Sequence, residues 1–224
     1  MSEPPPYRYI VVEGPLGVGK AALCERLAER LEAHIVHDET ENPFLRDFYS
    51  GRPGAAFQAQ LFFLLNRYKQ QQELKQGDLF RRVTICDYLF VKDRIFAYLN
   101  LSDSELLVYE KLYGVLAEEV LQPDLVIYLQ ADNKVLMKRL QAQRRRDLPE
   151  VTAEYIQQVN QAYNYYFFHY SDSPLLVINT SEVDLAASPS DLDALLDQVR
   201  HLKAGTQYYV PLSGRRDRAG DLNL

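Results

Sequence analysis

The sequence has few cysteines, no long apolar run and no excess of positive charge, and each lack excludes a class of protein. Its two cysteines, Cys24 and Cys86, fall inside predicted secondary structure, which favours buried free thiols over a disulfide. No stretch reaches the length of a membrane span, and the first residues lack a signal peptide's pattern. The net charge of −6 argues against broad, nonspecific binding of nucleic acid. We therefore expect a cytoplasmic protein that binds neither membranes nor nucleic acid.

The glycine-rich stretch GPLGVGK, at residues 14–20, is the strongest motif in the sequence. It follows an apolar, β-branched run at 7–13 and precedes a segment that places leucines 23, 27 and 31 on one helical face. Strand, glycine-rich turn and helix are the context of a phosphate-binding P-loop, in which backbone N–H groups and a helix N-terminus surround the phosphates. Lys20 is expected at the β- and γ-phosphates. The predicted nucleotide site comprises Gly14, Pro15, Leu16, Gly17, Val18, Gly19, Lys20 and Ala21.

Position 21 departs from the P-loop pattern. The lysine of this motif is normally followed by Ser or Thr, whose hydroxyl binds Mg²⁺, whereas this chain has Ala21. In one interpretation water takes the ligand position, and the loss of a hydrogen bond worth about 1.5–3 kcal/mol slows catalysis by about one to two orders of magnitude. In the other, the loop binds a nucleotide without turning it over.

Five apolar runs separated by helical segments predict the fold class. They lie at about 7–13, 34–37, 83–87, 125–129 and 175–178. This pattern predicts an α/β protein of the P-loop nucleoside triphosphate hydrolase type, with a five-stranded parallel sheet and helices on both faces. We see no internal repeat or linker, and we expect one domain at 7–212 between disordered tails at 1–6 and 213–224.

Acidic side chains that follow two of these strands are the candidate catalytic groups. In open α/β sheets ligands bind at the carboxyl ends of the strands, where Asp38, Glu39 and Asp87 lie. A sugar hydroxyl does not ionise at neutral pH, so a carboxylate must accept its proton as it attacks. Glu39 is the first choice for this base and Asp38 a close rival; a solvated acidic turn is the alternative. Asp87 is predicted to hold Mg²⁺, or else to cap the strand end.

Two further features indicate ligand contacts. Gln58 lies on an apolar face of the helix predicted at 55–76, where an amide needs a partner. A nucleobase can supply that partner in two-point fashion, and neighbouring backbone is the alternative. The three arginines at 144–146 are either a solvated face or a lid that closes on the transferring phosphoryl group.

In their order and spacing, these motifs resemble the deoxynucleoside kinase family, and its bacterial deoxyguanosine and deoxyadenosine kinases in particular. The matching segments between Tyr9 and Pro211 are VVEGPLGVGK, ENPFLRDFY, AFQAQLFFLLNRYKQ, DYLFVKDRIFAYLNLSDSELLVYEKLY, PDLVIYLQA and YYVP. The resemblance implies a homodimeric salvage enzyme that uses ATP and Mg²⁺ to phosphorylate the 5′-hydroxyl of a deoxyribonucleoside.

The resemblance also implies roles for individual residues. Gln58 would read the base, Tyr49 would hold the sugar 3′-hydroxyl, and Asp87 would lie near the metal and the 5′-hydroxyl. The remaining assignments are Phe57 in the wall of the base pocket, Arg145 at the migrating charge and Glu150 near the sugar.

Two departures from the family pattern accompany Ala21. The arginine that often follows the acid at position 87 is Tyr88 here, and the lid arginines come later than in relatives. These departures motivate a second hypothesis, a catalytically degenerate nucleotide-binding or regulatory protein of the same fold. A nucleoside monophosphate kinase is a third, but it needs a second phosphate site, and the neighbourhood of Gln58 and Tyr49 offers no obvious arginine pair.

Overall fold

Six parallel strands form the centre of the fold, in the order β2-β3-β1-β4-β5-β6. The computed structural model describes residues 6–76, 83–142 and 151–211, so that Arg145 and Glu150 lie outside the described residues. The strands are β1 Tyr9–Glu13, β2 His34–Val36, β3 Thr84–Cys86, β4 Leu125–Gln130, β5 Leu175–Asn179 and β6 Thr206–Tyr209. The helices are α1 Lys20–Leu31, α2 Leu45–Tyr49, α3 Ala55–Gln76, α4 Lys92–Asn100, α5 Asp103–Ala117, α6 Asn133–Ala142, α7 Ala153–Phe168 and α8 Pro189–His201.

Alternate residues of the central strands face two separate hydrophobic layers. In β1, Ile10 and Val12 pack with leucines of α1 and α8, whereas Tyr9 and Val11 pack with residues of α4 and α7. Because successive side chains of a strand point to opposite faces, a strand that is apolar at every position must be covered on both sides. The predicted fold class, an α/β protein with a parallel sheet and helices on both faces, is therefore confirmed.

The predicted number of strands was one too few. The additional strand, β6, pairs with β5 at the edge of the sheet, with Leu175 opposite Thr206 and Ile178 opposite Tyr209. Its four residues, TQYY, are mostly open to solvent, and only the last is buried. An edge strand of this kind does not need the continuous apolar run by which the other strands were recognised.

Helix α3 lies where the sequence predicted it, and it is fixed against α4 and α5 by a third hydrophobic cluster that includes Leu64, Phe90, Tyr109 and Tyr113. Helix α5 begins with a capping box, in which the Ser102 N–H donates to Glu105 Oε2 at 3.0 Å. This layer holds the polar face of α3 over the carboxyl ends of β2 and β3.

Two sequence-based expectations concern the environment of the chain. Cys24 and Cys86 are both buried and free, as predicted. Across 6–76, 83–142 and 151–211, no helix is both long enough and apolar enough to cross a bilayer.

Candidate active site

A cavity of about 500 Å³ opens where β1, β2 and β3 end. The residues after β1 supply Leu16 to Ala22, those after β2 supply Asp38 and Thr40, and Asp87 follows β3. Helix α3 contributes one wall and α4 another. The predicted meeting of the P-loop with acidic strand ends is therefore present in the structure.

The P-loop depends on glycine at two points of close approach. A Cβ atom on Gly14 would lie 2.5 Å from the carbonyl oxygen of Leu129, and one on Gly17 would lie 2.7 Å from Leu140 Cγ. Gly17 also has a φ of 79°, in the left-handed region that favours glycine. Any side chain at these positions would push the loop away from β4 or α6.

Lys20 begins α1 and turns its side chain back over the loop. Its Nζ donates to the Gly14 carbonyl at 2.5 Å and lies 3.6 Å from Glu13 Oε1. Glu13 is fully buried and accepts from the backbone N–H groups of Gly14 and Leu89, at 2.8 and 2.7 Å. Glu13 thus ties the P-loop to the segment between β3 and α4. Burial, and next the nearby charge of Lys92, lower the pKa of Lys20.

Of the two candidate bases, Asp38 faces the cavity and Glu39 does not. Glu39 is exposed and does not line the cavity, whereas Asp38 accepts from Arg67 Nε at 2.8 Å and from Lys92 Nζ at 2.5 Å. In an extended segment neighbouring side chains point to opposite sides, so only one of the two can face inward. Burial alone would raise the pKa of Asp38, but Arg67 and Lys92 outweigh it and lower the pKa to about 2.

Asp87 lies beside Asp38 on the cavity wall. Its Oδ1 accepts from the Asp38 backbone N–H at 2.6 Å, and its Oδ2 lies 3.1 Å from His37 Nδ1. These two contacts join the ends of β2 and β3. His37 carried no signal in the sequence that marked it as a partner of Asp87, since the two are fifty residues apart.

The helix α3 presents Gln60, not Gln58, to the cavity. Gln58 is exposed and outside the cavity wall, whereas Gln60 is 5% exposed and lines it. Two residues correspond to about 200° around a helix, so a glutamine two positions along points almost the opposite way. The Oε1 atom of Gln60 is buried without a hydrogen-bond partner among the described residues. The glutamine that faces the cavity is therefore Gln60, and not Gln58 as the sequence pattern predicted.

Aromatic residues around the cavity also differ from the prediction. Phe57 packs against the α3–α4–α5 cluster and not against the cavity. Phe63 and Phe96 line the cavity instead, and Tyr49 also lies on its wall. Phe63 and Phe96 therefore supply flat apolar surface to the same cavity that Gln60 lines.

Two residues that the sequence analysis missed, Arg67 and Asp93, complete this side of the cavity. Arg67 Nη1 donates to Asp93 Oδ1 at 2.5 Å, and Asp93 Oδ2 has no partner within the described part of the chain. Burial raises the pKa of Asp93 to about 6, against the opposing effect of Arg67. A usable signal existed, because Gln60, Arg67 and Gln71 recur at helical spacing along one buried face of α3.

Residues 10–203 match the family model of the deoxynucleoside kinases. The chain belongs to the deoxynucleoside kinase family. It is 28% identical over 204 residues to the deoxyguanosine kinase of Bacillus subtilis (strain 168), covering 87% of this chain and 97% of that protein. It is 30% identical over 181 residues to the deoxyadenosine kinase of Dictyostelium discoideum, covering 78% of this chain and 73% of that protein. The solved structure of the M. mycoides deoxyadenosine kinase with bound dATP superposes on this chain with a TM-score of 0.71 at 22% identity. The superposition covers 85% of this chain and 97% of that one.

Within this deoxynucleoside kinase fold, the departure at position 88 has a structural counterpart. Tyr88 is fully buried, and its hydroxyl accepts from Gln71 Nε2 at 3.3 Å, so that it belongs to the core and not to the cavity. The cations beside Asp38 come instead from Arg67 on α3 and from Lys92, the first residue of α4. The site thus retains a positive group beside the acids that follow β2 and β3.

Proposed function

We propose that this protein transfers the γ-phosphoryl group of ATP to the 5′-hydroxyl of a deoxyribonucleoside, as a cytoplasmic enzyme of nucleotide salvage. The observation that carries this proposal is that one cavity contains a P-loop with its lysine, the carboxylates of Asp38 and Asp87, and two buried acceptors, Gln60 Oε1 and Asp93 Oδ2, that have no partner among the described residues. The P-loop suits a triphosphate, and the two acceptors suit a nucleobase. Family membership and the relatives' names support the same reaction.

In the proposed mechanism, the P-loop amides and Lys20 hold the phosphates, and the nucleoside lies along α3. The 5′-oxygen forms a bond to the γ-phosphorus while the bond from that phosphorus to the bridging oxygen breaks, so that ADP leaves. We place Asp38, in preference to Glu39, as the group that accepts the hydroxyl proton, because it lies on the cavity wall. Its low pKa makes it a weak base, which suits a loose transition state in which little proton transfer is needed early.

The donor set of the site fits a Mg²⁺ ion bound with the nucleotide. Mg²⁺ is usually held by one or two carboxylates together with phosphates and water, so a cluster of three protein ligands is not required. Asp87 is the carboxylate that we propose for this role, since it lines the cavity beside the P-loop and each of its oxygens has one described contact. Ala21 offers no hydroxyl there. When bound, the ion would neutralise charge on the phosphates.

The free acceptors favour a base that carries an exocyclic amino group. Gln60 Oε1 and Asp93 Oδ2 are both buried and unpartnered among the described residues. Guanine, adenine and cytosine each offer an amino group, whereas thymine offers only a ring N–H and leaves more of these acceptors unpaired. We therefore expect thymidine to be the poorest of the four substrates. Tyr49 remains our proposal for the sugar hydroxyl.

Substitution of the two glutamines tests the base site with a matched pair on one helix. Gln60→Leu should lower kcat/KM for the preferred deoxynucleoside by about 10- to 100-fold, because a buried hydrogen bond to the base is lost. Gln58→Leu, at an exposed position two residues away, should change it by less than about 2-fold. Steady-state kinetics with both variants distinguishes the positions. Equal losses, or a larger loss for Gln58, would contradict the placement of the base at Gln60.

The reaction itself is tested by an ATP-coupled assay against each deoxynucleoside in turn. We expect ADP release that depends on deoxyadenosine, deoxyguanosine or deoxycytidine, with a deoxynucleoside 5′-monophosphate as the second product. Phosphorylation of a nucleoside monophosphate but of no nucleoside would overturn the proposal. Tight nucleotide binding without any product would favour the degenerate, regulatory alternative.

The homodimer implied by the family resemblance has a candidate surface on α5. Leu107, Val108 and Val115 are 68%, 57% and 68% exposed, and their spacing places them on one side of the helix. We propose that a second copy of the chain covers this side, because apolar side chains grouped on one helical face favour association. Sedimentation velocity should give a dimer for the natural chain and a monomer for Val115→Glu. A natural chain that sediments as a monomer at micromolar concentration would contradict the proposal.

A further inference from the structure

Lys92, the first residue of α4, places an ammonium group in the cavity. Its side chain is 10% exposed, lines the cavity, and makes one described hydrogen bond, to Asp38 Oδ2. An ammonium group has three N–H donors, so that two of them have no partner among the described residues. Burial disfavours the charged form, but Asp38 and Glu13 together outweigh it and raise the pKa of Lys92, which keeps the amine protonated.

Asp38 does not need Lys92 as a partner. Arg67 already binds both carboxylate oxygens of Asp38, with Nε 2.8 Å from Oδ1 and Nη2 3.0 Å from Oδ2. This two-point geometry is the strong form of an arginine–carboxylate pair. If Lys92 turned toward another anion, Asp38 would remain paired. A purely structural role for Lys92 would therefore duplicate what Arg67 provides.

The position of Lys92 is complementary to that of Lys20. The two ammonium groups lie near enough that Lys92 is, after burial, the main influence that lowers the pKa of Lys20. Lys20 belongs to the P-loop, at the donor side of the cavity, and Lys92 lies beside Asp38, at the acceptor side. An anion between them would be attracted by both cations and would relieve their repulsion.

We infer that Lys92 is a catalytic residue that contacts the phosphoryl group as it arrives on the 5′-oxygen. This inference rests on the proposed function. As the new bond to the γ-phosphorus forms and the bond to the bridging oxygen breaks, charge spreads over the three remaining oxygens of the phosphoryl group. Lys92 then hydrogen-bonds one of these oxygens, the hydroxyl proton passes to Asp38, and ADP leaves. The same contact persists in the deoxynucleoside 5′-monophosphate product.

This role predicts a difference between two ligands that share a base and a sugar. In Lys92→Met, the dissociation constant of the 5′-monophosphate should rise by about 10- to 100-fold, whereas that of the nucleoside should change by less than about 3-fold. Titration calorimetry with deoxyadenosine, deoxyguanosine and deoxycytidine, each beside its 5′-monophosphate, measures both. The kcat of the variant should fall by a similar factor, with the nucleoside KM nearly unchanged.

Three further variants separate the role from a structural one. Lys92→Arg keeps the charge and should retain most of the monophosphate affinity, whereas Lys92→Gln keeps a donor for Asp38 without the charge and should lose it. Both remain informative if Lys92→Met does not fold. Lys69→Met, at a side chain on α3 that is 77% exposed, is the control and should alter neither affinity.

Two results would overturn the inference alone. They are an unchanged monophosphate affinity in Lys92→Gln, or an equal loss for the nucleoside and the monophosphate. A natural chain that binds neither ligand would overturn the proposed function together with the inference.

Discussion

Replacing Lys20 by alanine should lower kcat by at least about 10²- to 10³-fold while leaving the protein folded. The Lys20 side chain is 13% exposed and its ammonium group lies over the P-loop, where we expect it to contact the phosphates. Its charge binds the phosphates in the ground state and binds them more strongly as their charge shifts during transfer, so the loss should appear in kcat as well as in the KM for ATP. Coupled-assay kinetics at several ATP concentrations measures both.

The fold should survive this change because Glu13, which lies beside Lys20, keeps other hydrogen-bond partners. Glu13 keeps the N–H groups of Gly14 and Leu89 as donors after the ammonium group is removed. We expect the melting temperature to fall by only a few degrees, about 1–2 kcal/mol in stability. Lys75→Ala, at an exposed position near the end of α3, is the control. Unchanged turnover in Lys20→Ala would rule out its phosphate role.

Replacing Arg67 by methionine should destabilise the protein by about 3–5 kcal/mol, the largest stability effect that we expect from a single substitution. Arg67 is 4% exposed and is the described hydrogen-bond partner of Asp93, as well as the two-point partner of Asp38. Removing it leaves Asp93 as a buried carboxylate without its hydrogen-bonded counter-charge. Urea unfolding, followed by circular dichroism, gives the free energy of unfolding.

The pH dependence of this loss identifies its cause. Asp93 has a pKa of about 6 in the folded chain, above its unfolded value of 3.8, so the folded protein binds the extra proton between these values. Without Arg67 this pKa rises further, and protonation removes the unpaired charge. The loss of stability should therefore be smaller at about pH 5 than at about pH 8.

Two companion variants test the same explanation. In Arg67→Met with Asp93→Asn, part of the stability should return, because the buried charge is gone. Arg52→Met is the control. The side chain of Arg52, which pairs with Asp47, is 70% exposed, so this substitution should lower the free energy of unfolding by less than about 1 kcal/mol. A loss for Arg67→Met that is the same at every pH would indicate packing, and not charge, as its source.

Much of this protein followed from local sequence patterns. The class of fold was predictable because a strand buried on both faces is almost continuously apolar, as β1 and β4 are up to their last residues, Glu13 and Gln130. The P-loop was recognisable because strand, glycine turn and helix are contiguous in the chain. The bounds of α3 and the capping box at Ser102 also depend only on neighbouring residues. The family assignment rested on these local motifs and is confirmed.

The functional face of α3 was decided by the tertiary structure. Apolar residues occur around much of this helix because it packs against α2, α4 and α5, so periodicity alone did not define which side faces the cavity. The choice between Gln58 and Gln60 depended on that rotation. The role of Phe57 depended on it as well, since its side chain faces α4 and α5.

The charge network around Asp38 was also decided by the tertiary structure. Arg67 and Lys92 are 29 and 54 residues away from Asp38, and only the packing of α3 and α4 over the strand ends brings their side chains to one carboxylate. Local sequence therefore determined that a P-loop follows β1. Long-range packing determined which carboxylate and which cations face it, because buried charges must find partners wherever the fold places them.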